Sequence, residues 1–228
     1  PDVQRCATED FLPALQSLEG PVLLDKTSVP TAIAAPLAAE GTEILYKGDP
    51  CALPKARKNS AEIEGSVAAH LRDGAAVANF LKWFDDKAET GISEIDVVKK
   101  LESFRSATNM LRDISFDTIA GTGSNGAVIH YRVTEETDRT LKPGEIMVLD
   151  SGGQYQDGTT DITRTLPIGQ VGEEERKAFT LVLKGMIAMS KLRWPKGLAG
   201  RDLEAIARVP LWSAGLDFDH GVGHGVGS

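Results

Sequence analysis

Apolar residues along this chain keep two different spacings, and the places where one gives way to the other outline the fold. From residue 59 onward they return every three to four positions. Asn59 followed by Glu62 has the form of a helix-capping pair, and Ile63, Val67, Leu71, Ala75, Ala78 and Leu81 then form the inward stripe predicted for a long helix ending near Lys87. Ser93 with Asp96 caps a second helix, expected to turn Ile95, Val98, Leu101 and Phe104 inward and to stop near Arg105. Beyond Ile114 the pattern shortens into β-prone runs at 116–120, 127–131, 146–150 and 159–165, separated by turn residues. Helical spacing returns over 173–192, with Phe179, Val182, Leu183, Met186 and Met189 inward, and over 202–214, where Pro210 is expected to introduce a kink. Helices before and after a block of mostly consecutive strands predict an α+β domain.

Residues 1 to about 58 have another texture. Six prolines, Pro13, Pro21, Pro30, Pro36, Pro50 and Pro54, break up any long element and leave short β-prone pieces at 22–24 and 44–46 around one short helix near 29–39. This is a small α/β piece, or the tail of a domain begun earlier, and it carries no evident chemistry. We place the boundary at residue 55, with 1–55 as this remnant and 56–228 as the main domain.

The composition narrows the functional classes. A chain of 228 residues with 41% hydrophobic content can bury a core of one domain and a part. A net charge of -8 and a pI near 5.1 give no footprint for nucleic acid or anionic membrane, so peptides or metabolites are the expected partners. Cys6 and Cys51 are too few for a disulfide framework and are expected to be free thiols in a reducing compartment. No apolar run approaches the roughly 20 residues of a membrane span, and the N-terminus lacks a signal-peptide pattern, which makes the cytoplasm the default location. The chain opens at Pro1 and closes inside a glycine-histidine run, so it is expected to be a fragment of a longer protein.

Two stretches hold the chemistry. His220-Gly-Val-Gly-His224-Gly-Val-Gly-Ser228 alternates imidazoles with glycine, a residue that buries nothing and suits close backbone approach. Glycines make a helix improbable here, so one of the two histidines is expected to bind metal and the other to meet substrate. Upstream, the buried-strand run 146–149 delivers Asp150, and Asp161 follows eleven residues later. Two carboxylates and an imidazole are a metal-ligand set. If both carboxylates bridge one centre, they must face each other across a strand pair. That centres the turn on Tyr155-Gln156 and leaves 153–158 as a six-residue loop. A two-residue Asp157-Gly158 turn would put Asp150 about 13 Å along the strand from Asp161's partner, too far to share an ion.

The remaining histidines are less telling. His130 lies in a β-prone run beside Val128, where a sheet histidine with a structural role is the plain alternative, and His70 on the long helix is taken as structural. Gly121-Thr-Gly123-Ser-Asn-Gly126 matches the letters of a dinucleotide-binding fingerprint, but a strand is expected to follow it where that fingerprint needs a helix. There is no serine nucleophile elbow, phosphate loop or Cys-x-x-Cys pair.

Taken together, Asn59-Ser-Ala-Glu-Ile-Glu, Gly121-Thr-Gly-Ser-Asn-Gly-Ala-Val-Ile-His-Tyr131, Asp150-Ser-Gly-Gly-Gln-Tyr-Gln-Asp-Gly-Thr-Thr-Asp161 and the final glycine-histidine run resemble aminopeptidase P, the Xaa-Pro aminopeptidase of the pita-bread metallopeptidases. The resemblance runs from about Asp49 to Ser228. Before that, the chain is more weakly similar to the end of the non-catalytic creatinase-like domain that precedes the catalytic one. It implies a pita-bread catalytic fold, incomplete at its C-terminal end. Asp150 is then expected to chelate one metal, Asp161 to bridge two and His224 to bind one of the pair, while His130 and His220 line the substrate site and assist proton movement. The implied cofactor is two divalent ions, Mn2+ first, with Zn2+ or Co2+ as alternatives, and the implied substrate is a peptide with N-terminal Xaa-Pro. A homodimer is implied by the family's habit.

Family members carry a further histidine and two glutamate ligands downstream of the position of His224. The chain as it stands is therefore expected to bind metal weakly or not at all and not to hydrolyse peptides, the activity belonging to the full-length protein. Prolidase, a dipeptidase of the same fold and metal set, is the neighbouring alternative. A pita-bread binding module without catalysis is the alternative of another class, and retention of Asp150, Asp161 and His224 argues against it.

Overall fold

The computed structural model describes residues 5–226, which divide into two compact units, one up to Lys58 and one from Asn59 onward. In the first, helix α1 (Phe11–Gln16) is followed by strand β1 (Val22–Leu24), helix α2 (Thr31–Ala39), strand β2 (Ile44–Tyr46) and helix α3 (Ala52–Ala56). β1 and β2 pair in parallel with Val22 opposite Ile44, and α2 makes the crossover between them. Both strands and the helix stand where the apolar pattern predicts.

In the second unit α4 (Ser60–Lys87) and α5 (Glu94–Ser106) both begin with reciprocal capping. The Asn59 side chain accepts from the Glu62 N–H at 2.9 Å while Glu62 accepts from the Asn59 N–H at 2.7 Å, and Ser93 with Asp96 does the same. Five strands follow: β3 (Leu111–Ile114), β4 (Ile119–Thr122), β5 (Ile146–Ser151), β6 (Gly153–Tyr155) and β7 (Ile162–Pro167). β4, β5 and β7 form an antiparallel sheet in that order, and β6, separated from β5 only by Gly152, leaves it to pair with β3. Helices α6 (Glu173–Lys191) and α7 (Gly200–Trp212) complete the unit and pack chiefly on each other, Gly185 against Ala207. Pro210 lies inside the last turn of α7.

The core joins α4 and α5 to one face of the three-stranded sheet. Val77, Phe80 and Phe84 of α4 and Val97 and Leu101 of α5 meet Ala120, Met147 and Leu149 of the strands. β5 alternates strictly, Met147, Leu149 and Ser151 buried toward the helices and Ile146, Val148 and Asp150 half-buried on the opposite face.

Three sequence expectations are corrected. On α4 the buried stripe is Ala69, Asp73, Ala76, Val77, Phe80 and Phe84, whereas Ile63, Val67 and Leu71 are exposed and so are Ala75 and Ala78. Bulk hydrophobicity misplaced the face, because its N-terminal half is small by necessity. A β-carbon on Gly65 would fall inside contact distance of the Asp157 carbonyl oxygen, and Gly158 lies against Ser66 and Ala69. On α6 the predicted inward residues Phe179, Val182, Leu183 and Met186 are exposed, since the helix meets α7 along the side that holds Gly185. Segment 127–131 is not a strand: Gly123–Ala127 forms a 3-10 turn, and His130 sits in the left-handed region at φ 53°. The dinucleotide fingerprint still fails here, for want of an α-helix after the glycines.

Helix propensity alone favours alanine over glycine by about 1 kcal/mol inside a helix. At Gly65 the crowding against Asp157 reverses that sign, and Gly65→Ala is expected to lower unfolding stability by about 1–3 kcal/mol. The shift in urea midpoint at unchanged slope measures it.

Candidate functional site

Asp150, one residue before the end of β5, lies on the face away from the helical core and stands opposite Thr163, whose hydroxyl donates to Asp150 Oδ1 at 2.8 Å. Ser151 faces Ile162, Gln154 faces Thr159, and the Tyr155 N–H donates to the Gly158 carbonyl at 2.9 Å. The hairpin therefore turns on Gln156-Asp157. The register expected from a shared ion, with Asp150 directly opposite Asp161 and the turn on Tyr155-Gln156, is one residue off at the turn.

The two carboxylates meet nonetheless. Asp161 lies two residues before Thr163 and so on the same face as Asp150, in the diagonal position that long side chains reach across an antiparallel pair. The carboxyl of Asp161 titrates above the usual range. Burial is the main cause, with the charge and hydrogen bond of Asp150 adding to it and His224 opposing. His224 Nε2 stands 3.5 Å from Asp161 Oδ2.

In each of His220 and His224 the Nδ1 lies 2.8 Å from the carbonyl of the following glycine. A carbonyl only accepts, so Nδ1 carries the proton, and in the neutral ring the lone pair is on Nε2. For His224 that lone pair is on the nitrogen facing Asp161. His220 instead lays its ring on Phe218, with centroids 4.5 Å apart, and His130 is exposed on its loop. Among the described residues no hydrogen bond or ion pair joins either of these two to the aspartates.

Hard carboxylate oxygens with an imidazole nitrogen suit a divalent cation, and the crowding of negative charge at Asp161 is what such an ion relieves. The donors fit in kind but not in number: among the described residues no three His, Cys, Asp or Glu side chains gather closely enough to enclose an ion.

A buried ion pair, which the sequence reading passed over, sets the hairpin in place. Asp73 of α4 and Arg105 of α5 are fully buried, with Arg105 Nε and Nη2 donating to the two Asp73 oxygens at 2.7 and 3.1 Å. The Tyr155 hydroxyl donates to Asp73 Oδ1 at 2.9 Å and the Thr160 hydroxyl to Oδ2 at 2.8 Å, while Arg105 Nη2 reaches the Ser151 carbonyl at 3.4 Å. Ser151 follows Asp150 and Thr160 precedes Asp161, so one buried centre holds the chain beside both site carboxylates. Burial disfavours the Asp73 carboxylate, but the bonds and charge of Arg105, with Thr160 and Tyr155, outweigh it and its pKa falls below the ordinary value. Tyr155 is pushed upward by burial and by its bond to Asp73.

Glu94 does similar service for the other loop. Buried at the first position of α5, where the helix dipole favours negative charge, it accepts from the Thr122 N–H at 2.7 Å, Asn125 Nδ2 at 2.9 Å and the Tyr131 hydroxyl at 3.1 Å. Those bonds curl 121–131 into the turn that carries His130. The one available sequence signal for both centres was a charged residue on the inward face of a helix.

Asp73→Asn leaves the Arg105 charge buried without its counterion and is expected to cost about 3–5 kcal/mol of unfolding free energy at pH 7. Because the folded pKa of Asp73 is depressed, its contribution is present above the unfolded carboxylate value of about 3.9 and is lost as pH falls through the folded one. Urea titrations should show the gap between variant and parent closing in that acid window. Asp161 has the opposite sign. Its raised folded pKa makes ionisation unfavourable to folding at neutral pH, so Asp161→Asn is expected to raise the melting temperature of metal-free protein at pH 7, with the gain fading toward pH 4.

Residues 66–228 match the model of Metallopeptidase family M24. A probable Xaa-Pro aminopeptidase P of Aspergillus clavatus is 49% identical over 182 residues, 78% of this chain and 28% of that protein. Aminopeptidase P1 of Lotus japonicus is 43% identical over 208 residues, 81% of this chain and 32% of that protein. The chain thus spans less than a third of the length of these relatives. Among solved structures, X-prolyl aminopeptidase of Caenorhabditis elegans, described as a cytosolic enzyme with a di-nuclear active site, matches with a TM-score of 0.76 and 38% identity over 81% of this chain and 31% of its own. Prolidase of Pyrococcus furiosus matches with a TM-score of 0.81 at 23% identity, over 99% of this chain and 64% of its own, which shows a common fold. The resemblance carried by the sequence motifs is borne out, the fold is that of the pita-bread enzymes in incomplete form, and the chain belongs to metallopeptidase family M24.

Proposed function

We propose that the full-length protein to which this chain belongs is a metal-dependent aminopeptidase that releases the N-terminal residue from peptides with proline second. The observation that carries this is the pairing of Asp150 and Asp161 on one face of the hairpin, with His224 Nε2 beside Asp161. The names of the aminopeptidase P relatives support the substrate class. Segment 1–55 is assigned as the tail of a creatinase-like domain and 56–228 as the N-terminal part of the catalytic one.

Asp150, Asp161 and His224 would be among the ligands holding two divalent ions, Mn2+ by preference. When bound, such ions lower the pKa of a water nucleophile and stabilise the oxyanion of the attacked amide. The chain's own residues orient and balance charge. Thr163 fixes one oxygen of Asp150, the Nδ1 bond to Gly225 fixes the tautomer of His224, and His130 and His220 are assigned to the substrate side, where a neutral imidazole can accept or return a proton. A cytosolic setting is proposed from the C. elegans relative, consistent with the lack, among the described residues, of a helix long and apolar enough to cross a membrane. A homodimer acting on peptides, without nucleic acid or lipid, completes the proposal.

Asp161 also weighs against a pure binding module, because a crowded, half-buried carboxylate is costly without a cation to balance it. The test is hydrolysis of an Xaa-Pro tripeptide and an Xaa-Pro dipeptide by full-length protein, with Mn2+ and with chelator. Cleavage of the tripeptide, abolished by chelation and reduced at least a hundredfold by Asp161→Asn, is expected. Cleavage of the dipeptide alone would indicate a prolidase, and inactivity on both with Mn2+ present would refute the peptidase assignment.

A further inference from the structure

The histidine segment has very little of its own to hold it. Past the end of α7 the chain turns at Gly215, whose φ of 74° suits glycine, with the Leu216 N–H returning to the Leu211 carbonyl and the Gly215 N–H to that of Trp212. Beyond Leu216, among the described residues, no backbone-to-backbone hydrogen bond fixes the chain that carries His220 and His224.

One side chain takes over that task. Arg208, on α7 and only 13% exposed, donates through Nη1 to Asp217 Oδ1 at 2.8 Å and to the Phe218 carbonyl, and through Nη2 to the His220 carbonyl at 2.7 Å. Nε donates to Glu204 at 3.0 Å, and Nη2 bonds the same carboxylate. All three guanidinium nitrogens are engaged, and Glu204, one turn earlier on the helix, fixes the plane of the fork. The guanidinium carbon lies 3.9 Å from the centre of the Phe218 ring, which in turn bears the His220 ring. The stack therefore runs arginine, phenylalanine, imidazole, and the same arginine grips the backbone at both ends of the 218–220 step.

We propose that Arg208 is the positioning residue of the histidine segment, fixing the His220 ring through its backbone carbonyl and the intervening Phe218 ring, and the approach of His224 to Asp161 through the three residues between the two histidines. This rests on the peptidase assignment for its meaning in catalysis, though not for its geometry. Among the described residues, Arg208 makes no hydrogen bond or ion pair with Asp150, Asp161 or His224. Its work is to make a glycine-rich run, otherwise free to sample many conformations, present its imidazoles in one arrangement. A lysine keeps the charge and loses the fork, so it cannot bind two carbonyls and two carboxylates from one plane.

The test uses full-length protein carrying Arg208→Lys, with histidine ring carbon-proton NMR on the metal-free form and Mn2+ titration by calorimetry. In the parent, the His220 ring signals should be displaced by the Phe218 ring current. In the variant they should move to free-imidazole positions, and the Kd for Mn2+ should rise at least tenfold, within the range for residues that orient metal ligands. Unmoved ring signals with unchanged Mn2+ affinity would overturn the proposal, whatever the melting temperature does. Should the lysine variant not fold, Asp217→Asn removes one arm from a half-exposed carboxylate; a smaller shift of the same signals supports the proposal, and none overturns it. A parent protein that takes up no Mn2+ refutes the peptidase assignment instead, while the ring signals still decide the role of Arg208.

Discussion

The ion pair between Asp73 and Arg105 is the constraint on which the rest of the second unit depends. Two fully buried charges are tolerated only when nearly every polar atom around them has a partner, and here those partners come from four places: α4, α5, the end of β5 and the hairpin that follows. A purely apolar junction could slide by a fraction of a side chain. This one cannot, because Arg105, Tyr155 and Thr160 all converge on the two oxygens of one buried carboxylate. The pair gives up some stability, as the unpartnered Nη1 of Arg105 records, and in exchange fixes how helices and hairpin meet.

The site follows from that fixed junction. Ser151 and Thr160 are the residues gripped, and Asp150 and Asp161 are their neighbours, turned by the strand's twofold alternation to the opposite face. A buried satisfied carboxylate and a half-buried crowded one thus lie back to back across one layer of backbone. Asp73 has its positive partner within the chain, whereas among the described residues Asp161 has a second carboxylate and an imidazole beside it. The stability bound up at Asp73 is what lets the hairpin hold Asp150 and Asp161 together despite their repulsion.

The legible parts of the fold were those governed by local rules. Both capping pairs, Asn59 with Glu62 and Ser93 with Asp96, marked true helix starts, and the run ending in Asp150 marked a true central strand. What escaped was decided by distant partners. The inward face of α4 is lined by small residues and an aspartate because the hairpin backbone comes close there, and no periodicity of Ile63, Val67 and Leu71 could reveal it. The run 127–131 has strand composition but is curled by Glu94, thirty-odd residues upstream. At the candidate site the sequence pointed to Asp150, Asp161 and His224: Asp161 lies diagonally from Asp150, since the turn on Gln156-Asp157 shifts the expected pairing, and His224 stands beside Asp161, but among the described residues no three such side chains close around one ion.

The tip of that hairpin is secured as firmly as its base. Arg72 forks onto Asp157 at 2.8 and 3.0 Å and lies over the Tyr155 ring, while Gly65 admits the Asp157 carbonyl against the helix. Reversals at the ends of strands usually absorb inserted residues with ease and drift in length between relatives. Clamped at both ends, this reversal has lost that freedom, and lengthening it would push the two aspartates out of step.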